Sequence, residues 1–191
     1  MRLTVRVLFF VLLAAGPEGP SRYASAAQPG GTAPESFTAA MQPPGGAAVN
    51  LVILIDRYAK TEDRTKMTTA LNYGGYTAFL EALRRSPAVG SVTLGQAKAT
   101  LRWTKEETAS VGRLITVVAD TPLPLDAGGN AATTARDAPV MVIELRMDNS
   151  GRGTGTMVPA ARLTPNAFVG ASIVAGSGTR YALTGVAKVT P

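Results

Sequence analysis

The sequence predicts an α+β domain: a mainly antiparallel sheet, curved or split into a sandwich, with a helical pair inserted after its first strand. Three observations predict it. The short apolar run Val49–Ile55 is followed directly by a stretch of helical periodicity. After Pro87 the apolar period drops from that of a helix to two. From there to the end, short apolar segments alternate with turns rich in Gly, Asn, Asp and Ser. Helices grouped early and strands grouped late are the order of an α+β fold.

Each element follows from its own residues. VNLVILI is short, continuous and β-branched, which predicts a strand covered on both faces. Asp56-Arg57 closes it. Thr61 can cap a helix running to about Leu71, and Glu62 and Asp63 complement its positive end. Gly74-Gly75 interrupts that helix. A second helix fits residues 76–85, where Tyr76, Phe79, Leu80 and Leu83 form one apolar stripe. Arg84-Arg85 suits its negative end, and Ser86-Pro87 stops it. In residues 97–104, Ala97, Ala99, Leu101 and Trp103 alternate with Lys98, Thr100, Arg102 and Thr104, predicting a half-buried strand. Residues 89–94 supply its hairpin partner across Gly95-Gln96. Residues 113–120 give another strand, and residues 121–138 a long loop. Met141, Ile143, Leu145 and Met147 then alternate, residues 148–151 turn, and residues 154–163 return. Two last strands fit residues 167–174 and 180–189, with Tyr181, Leu183, Ala187 and Val189 sharing a face.

The N-terminus reads as a leader. Arg2 and Arg6 precede the uncharged apolar run VLFFVLLAA, then come helix-breaking Gly and Pro, then Ala24-Ser25-Ala26. This is the secretory tripartite pattern, and the apolar run is too short for the roughly 20 residues of a membrane span. Residues 27–46 are rich in Pro, Gly, Ala and Thr and read as a disordered tether. The expected organisation is therefore a signal peptide at 1–26, a linker at 27–46 and a single domain at 47–191. The expected location is periplasmic or extracellular, with no transmembrane segment after cleavage.

Composition narrows the chemistry. The chain has no cysteine and no histidine. Disulfides, thiolate metal sites and thiol redox chemistry are excluded, as are His-based metal sites, Ser-His-Asp catalysis and histidine switches. The net charge of +6 falls by two when Arg2, Arg6, Arg22 and Glu18 leave with the leader. The remaining basic residues are scattered, which is not a nucleic-acid pattern.

The local constellations are mostly structural. Asp148-Asn149-Ser150-Gly151-Arg152 places an arginine at a ligand position of a calcium loop and reads as a turn. Gly151, Gly153 and Gly155 lack the following helix that a phosphate fingerprint needs. Gly176-Ser177-Gly178 has the wrong spacing for a nucleophile elbow. No catalytic residue, metal ligand or cofactor motif emerges. Asp56 and Arg57, where a strand meets a helix, form a candidate anion contact with its orienter. Trp103, the only tryptophan, is the candidate ligand platform.

From about residue 49 onward the chain resembles an uncharacterised family of secreted bacterial proteins. The resemblance rests on VNLVILIDRY, FLEAL, SPAVG, ATLRW, ITVVADTPL, VMVIELRMDNSGRGTGTM and LTGVAKV. It implies one exported domain and no particular activity. Together these readings predict a non-catalytic envelope or secreted domain that binds a protein or an anionic glycan. The alternative is a carboxylate-dependent hydrolase of an extracellular polymer, which needs two converging carboxylates. An assembly component pairing through sheet edges is a third reading.

Overall fold

Glu35–Met41, which the composition of its flanks placed in a tether, is the first strand of the fold, β1. The structure, a computed structural model, describes residues 33–43, 46–123, 140–163, 175–177 and 179–189. The signal peptide expected at 1–26 lies outside these residues, as do the strand expected at 167–174 and most of the long loop expected at 121–138. The elements that follow β1 are β2 (Val49–Ile55), α1 (Thr61–Arg85), β3 (Gly90–Leu94) and β4 (Ala97–Thr108). Then come β5 (Arg113–Ala119), β6 (Val140–Met147), β7 (Arg152–Leu163), β8 (Ala175–Ser177) and β9 (Tyr181–Val189).

Every strand pairing is antiparallel. β1 through β7 run as a meander, β9 pairs with both β7 and β1, and β6 pairs with β7. The sheet thereby closes into an eight-stranded barrel with one helix, and strands make up more than half of the structure. β8 stands off the ring and, among the described residues, pairs with the end of β7 alone. This corrects the expected α+β sheet, open or sandwich-like, with a helical pair after its first strand. The physical reason is β1. Without it, β2 and β9 would each keep a free edge; with it, every barrel strand has two neighbours and the edge problem disappears.

The helical pair is one helix with a kink, and it follows the second strand. Residues 61–85 are helical throughout except at Gly75, whose φ of 71° and ψ of −172° belong to a region only glycine occupies comfortably. A Cβ there would meet nothing within 4 Å, so the backbone alone demands the glycine. The N-cap is Lys60 rather than Thr61, and its backbone N–H donates to Asp63 Oδ2 at 3.3 Å. The expected apolar stripe is present: Phe79, Leu80 and Leu83 are buried with Met67 and Leu71.

Two apolar layers hold the fold. The barrel interior is filled by Phe37, Met41, Leu51, Ile53, Ile55, Leu101, Ile115, Met141 and their neighbours. Side-chain filling is what an eight-stranded barrel of this diameter allows. Outside the barrel, α1 covers Trp103, Val118, Val140, Val142, Val158, Ala161 and Leu163. β5 and the first half of β6, to Ile143, are therefore buried on both faces. β2, expected to be so, is not: Asn50 and Leu54 point to solvent. Among the described residues no helix is long and apolar enough to cross a membrane.

Two bulges break the alternation that the sequence displays. β4 carries an extra residue between Leu101 and Trp103, opposite Ala119 and Val118. Ala99 and Leu101 point into the barrel, whereas Trp103 points out beneath α1. β9 carries an extra residue between Thr184 and Ala187, opposite Ala40 and Thr38. Leu183 and Val186 thus face the core, while Ala187 and Val189 lie beside the outward Thr38 and Ser36, so the four residues expected on one face are divided.

The glycine string also has a structural use. A Cβ on Gly153 would lie 2.0 Å from the Arg146 carbonyl oxygen, and one on Gly155 would lie 2.7 Å from that of Glu144. Both glycines let β7 approach the β6 backbone closely. Gly153→Ala should destabilise the protein by about 1–3 kcal/mol, because the clash is with backbone that cannot rotate away. Urea unfolding followed by far-UV circular dichroism measures it.

Candidate functional site

Charge collects at one end of the barrel, where β1 begins, β5 begins and β9 ends. Glu35 occupies the first inward position of β1 and is buried. Its Oε1 accepts from Arg113 Nη2 at 2.9 Å and from Lys188 Nζ at 2.7 Å. Its Oε2 accepts from Arg113 Nη1 at 3.0 Å and from the Tyr58 hydroxyl. Arg113 Nη1 also donates to Glu106 Oε1 at 2.8 Å, and the guanidinium lies over the Phe37 ring. The β4 bulge makes this possible, since beyond it Glu106 takes an inward position opposite Ile115.

Burial raises the Glu35 pKa, but the hydrogen bonds from Arg113, Lys188 and Tyr58 outweigh it and hold the carboxyl below its ordinary 4.5. Burial, reinforced by the hydrogen bond to Glu35, pushes the Tyr58 hydroxyl well above its ordinary 10.0. A depressed carboxyl contributes stability that is complete above the unfolded value and is lost as pH falls through the folded one. A raised phenol contributes stability that is complete below the unfolded value and is lost as pH rises toward the folded one. Unfolding free energy should therefore fall below about pH 4.5 and again above about pH 10. Tyr58→Phe should keep the acid limb and flatten the alkaline one, as read by urea titrations across that range.

Glu35 and Glu106 are two converging carboxylates, the arrangement that the hydrolase reading asked for. Sharing Arg113 Nη1 at 3.0 and 2.8 Å, they are no farther apart than the sum of those distances. Yet the guanidinium stands between them, and Glu35 is held ionised. Glycoside hydrolysis needs one carboxyl with a raised pKa and room for substrate between the pair. The guanidinium between this pair leaves no such room. It ties β1, β4, β5 and β9 together.

A second feature lies outside the barrel, between the first half of α1 and β4. It is a groove of about 470 Å³. Thr61, Thr65, Thr68, Thr69 and Asn72 recur at helical spacing and form its α1 wall. The Thr65 and Thr68 hydroxyls donate back to the carbonyls of Thr61 and Arg64, at 3.0 and 2.9 Å, leaving their oxygens as acceptors. Arg64 and Lys105 bring positive charge from opposite walls, Trp103 forms the floor, and Tyr73 stands beside it 89% exposed. Among the described residues no carboxylate lines the groove; Lys105 is itself paired with Glu107 at 2.5 Å.

No family model, no curated protein and no solved structure matches this chain.

The three residues singled out from the sequence do not converge. Asp56 is exposed in the linker between β2 and α1. Arg57 Nη1 lies 3.4 Å from Asp63, and the Arg57 carbonyl accepts from Thr104 Oγ1 at 2.7 Å, which pins the linker to β4. Of the three, Trp103 alone lines the groove. Sequence reasoning missed the threonine face of α1, whose signal was the recurrence of Thr beside the buried Met67 and Leu71. It also missed Glu35, Tyr58, Arg113 and Lys188, which stand far apart in the chain. The turn reading of residues 148–151 stands: Asp148 Oδ1 accepts from the Ser150 hydroxyl and N–H and from the Arg152 N–H at 2.7, 2.8 and 3.0 Å. Led by the Ser150 hydroxyl, these bonds hold Asp148 below the usual carboxylate range. No cluster of metal-ligating side chains occurs among the described residues.

Proposed function

We propose that the protein is a non-catalytic exported binding domain that takes an anionic glycan in the groove between α1 and β4. The export half of the reading rests on the leader pattern of residues 1–26. The binding half rests on the chemistry of the lining. Arg64, with Lys105 held in place by Glu107, faces a lining that contributes no carboxylate, which favours a negatively charged ligand. A row of hydroxyls and an amide match a polyhydroxylated one. An exposed tyrosine offers an apolar face to a sugar ring. The groove is within the roughly 300–1,000 Å³ range of small-ligand sites. The barrel supplies the rigid wall, and α1 supplies the specific one.

The single tryptophan makes the reading directly testable. Titration with a polyuronate should change Trp103 fluorescence saturably, and a neutral glucan of the same length should not. Tyr73→Ala or Arg64→Gln should weaken binding by about tenfold, equivalent to 1.4 kcal/mol, since truncated aromatic and arginine anchors carry such amounts. Affinity should fall as salt rises, because the attraction between the groove's cations and an anionic polymer is screened. Equal binding of the neutral polymer, or unchanged affinity in both variants, contradicts the proposal.

A further inference from the structure

Charge in the groove between α1 and β4 is confined to one of its ends. Arg64 stands near the start of α1, and its Nη2 donates to the Thr61 hydroxyl at 3.2 Å rather than to a carboxylate. Lys105 belongs to the same end, because the neighbouring Thr104 carbonyl accepts from the Ala59 N–H at 2.9 Å, just ahead of the helix. Lys105 is paired with Glu107, so the lining and its partner carry the net charge of Arg64 alone. Glu62 and Asp63 lie outside the lining, and Asp63 is paired with Arg57 at 3.4 Å. From Thr65 onward the α1 wall presents hydroxyls and an amide and no charge. Tyr73 stands at its far end. Arg64 and Tyr73 are nine positions apart, a rise of about 13 Å along the helix. Both precede the break at Gly75, so one unbroken helix fixes the interval. A single pyranose is shorter than that interval, and a short oligosaccharide spans it.

We infer that the groove is directional, with one carboxylate-bearing sugar at Arg64 and uncharged sugars running on to Tyr73. The inference rests on the glycan reading above and narrows its ligand class to an oligosaccharide charged at one terminal residue. The guanidinium offers the forked donors that match a carboxylate. A second carboxylate farther along would give up hydration against neutral hydroxyls and an aromatic ring, with no cation to repay it. A polyuronate can still place one of its carboxylates at Arg64, but gains nothing from the others.

The test titrates the full ¹⁵N-labelled chain at neutral pH with three probes: free glucuronate, a glucan trisaccharide carrying one terminal glucuronate at either end, and a triuronate of the same linkage. Glucuronate should shift the Arg64 and Thr65 amides and leave Tyr73 still. The better of the two singly charged trisaccharides should shift both ends and bind within about twofold of the triuronate. Tyr73→Ala should weaken that trisaccharide by about tenfold and leave glucuronate unchanged, which also shows that the variant is folded. Arg64→Gln should weaken both. A triuronate that binds tenfold or more above both singly charged isomers overturns the inference, as does equal loss of glucuronate and trisaccharide in Tyr73→Ala. In either case the groove still takes an anionic glycan, and that proposal stands. If no charged saccharide shifts the groove amides saturably, the glycan proposal falls and this inference falls with it.

Discussion

Replacing Arg113 by leucine should lower the unfolding free energy by about 3–5 kcal/mol, the cost of leaving a buried charge without its partner. Arg113 supplies two of the hydrogen bonds to the buried Glu35 and one to the nearly buried Glu106. In its absence Glu35 keeps only Lys188 and Tyr58, and Glu106 loses its contact across the mouth. Arg113→Lys should recover little, because an ammonium cannot make the forked contact to both oxygens of Glu35. Glu35→Leu combined with Arg113→Leu should cost less than the two single changes added together, since the double variant no longer buries Glu35 as a charge without its main partner. Urea unfolding of the four proteins measures the coupling. Additive losses would mean that the cluster does not act as one unit.

Phe37→Ala should cost a similar amount, about 3–5 kcal/mol, through the cavity that a truncated core aromatic leaves. Phe37 is 0% exposed, lies in the middle of β1, and packs among the interior residues of the barrel. The prediction separates two accounts of residues 27–46. A disordered tether would tolerate the change within about 0.5 kcal/mol, as surface positions do. A closing strand would not. Deleting residues 27–46 should go further and abolish the cooperative transition, because β2 and β9 would both lose their partner.

β1 shows why the barrel was hidden in the sequence. Glu35, Phe37, Ala39 and Met41 alternate with Ser36, Thr38 and Ala40, which is a strand pattern. The Pro- and Gly-rich residues on both sides dominated the composition of the window and concealed it. Glu35 added to the disguise, since a carboxylate at an inward position argues against a strand until its partners are known. Those partners come from positions 58, 113 and 188, and no local rule brings them together.

Elsewhere the sequence was more readable. The β3–β4 and β6–β7 hairpins, the apolar stripe of α1 and its break at Gly74-Gly75 were all visible, because each is set by local period and turn chemistry. The faces of β4 and β9 were not, because one extra residue in a strand turns every later side chain to the other side. Trp103 illustrates the gain and the loss together. Alternation alone puts this candidate platform on the face of Leu101. The bulge moves it to the opposite face, and that move is what places it at the floor of the α1–β4 groove. Closure itself leaves no local trace, since it depends on pairing between the two ends of the fold.

The measurement that bears most directly on the central claim is an amide and indole shift map of the ¹⁵N-labelled chain titrated with a polyuronate. The account predicts saturable shifts along one wall of α1 at Thr65, Thr68, Thr69, Asn72 and Tyr73, with the Trp103 indole and Lys105 across the groove, and none on the outward face of β1 and β2. Shifts scattered over every exposed lysine and arginine, or confined to β1 and β2, would contradict it.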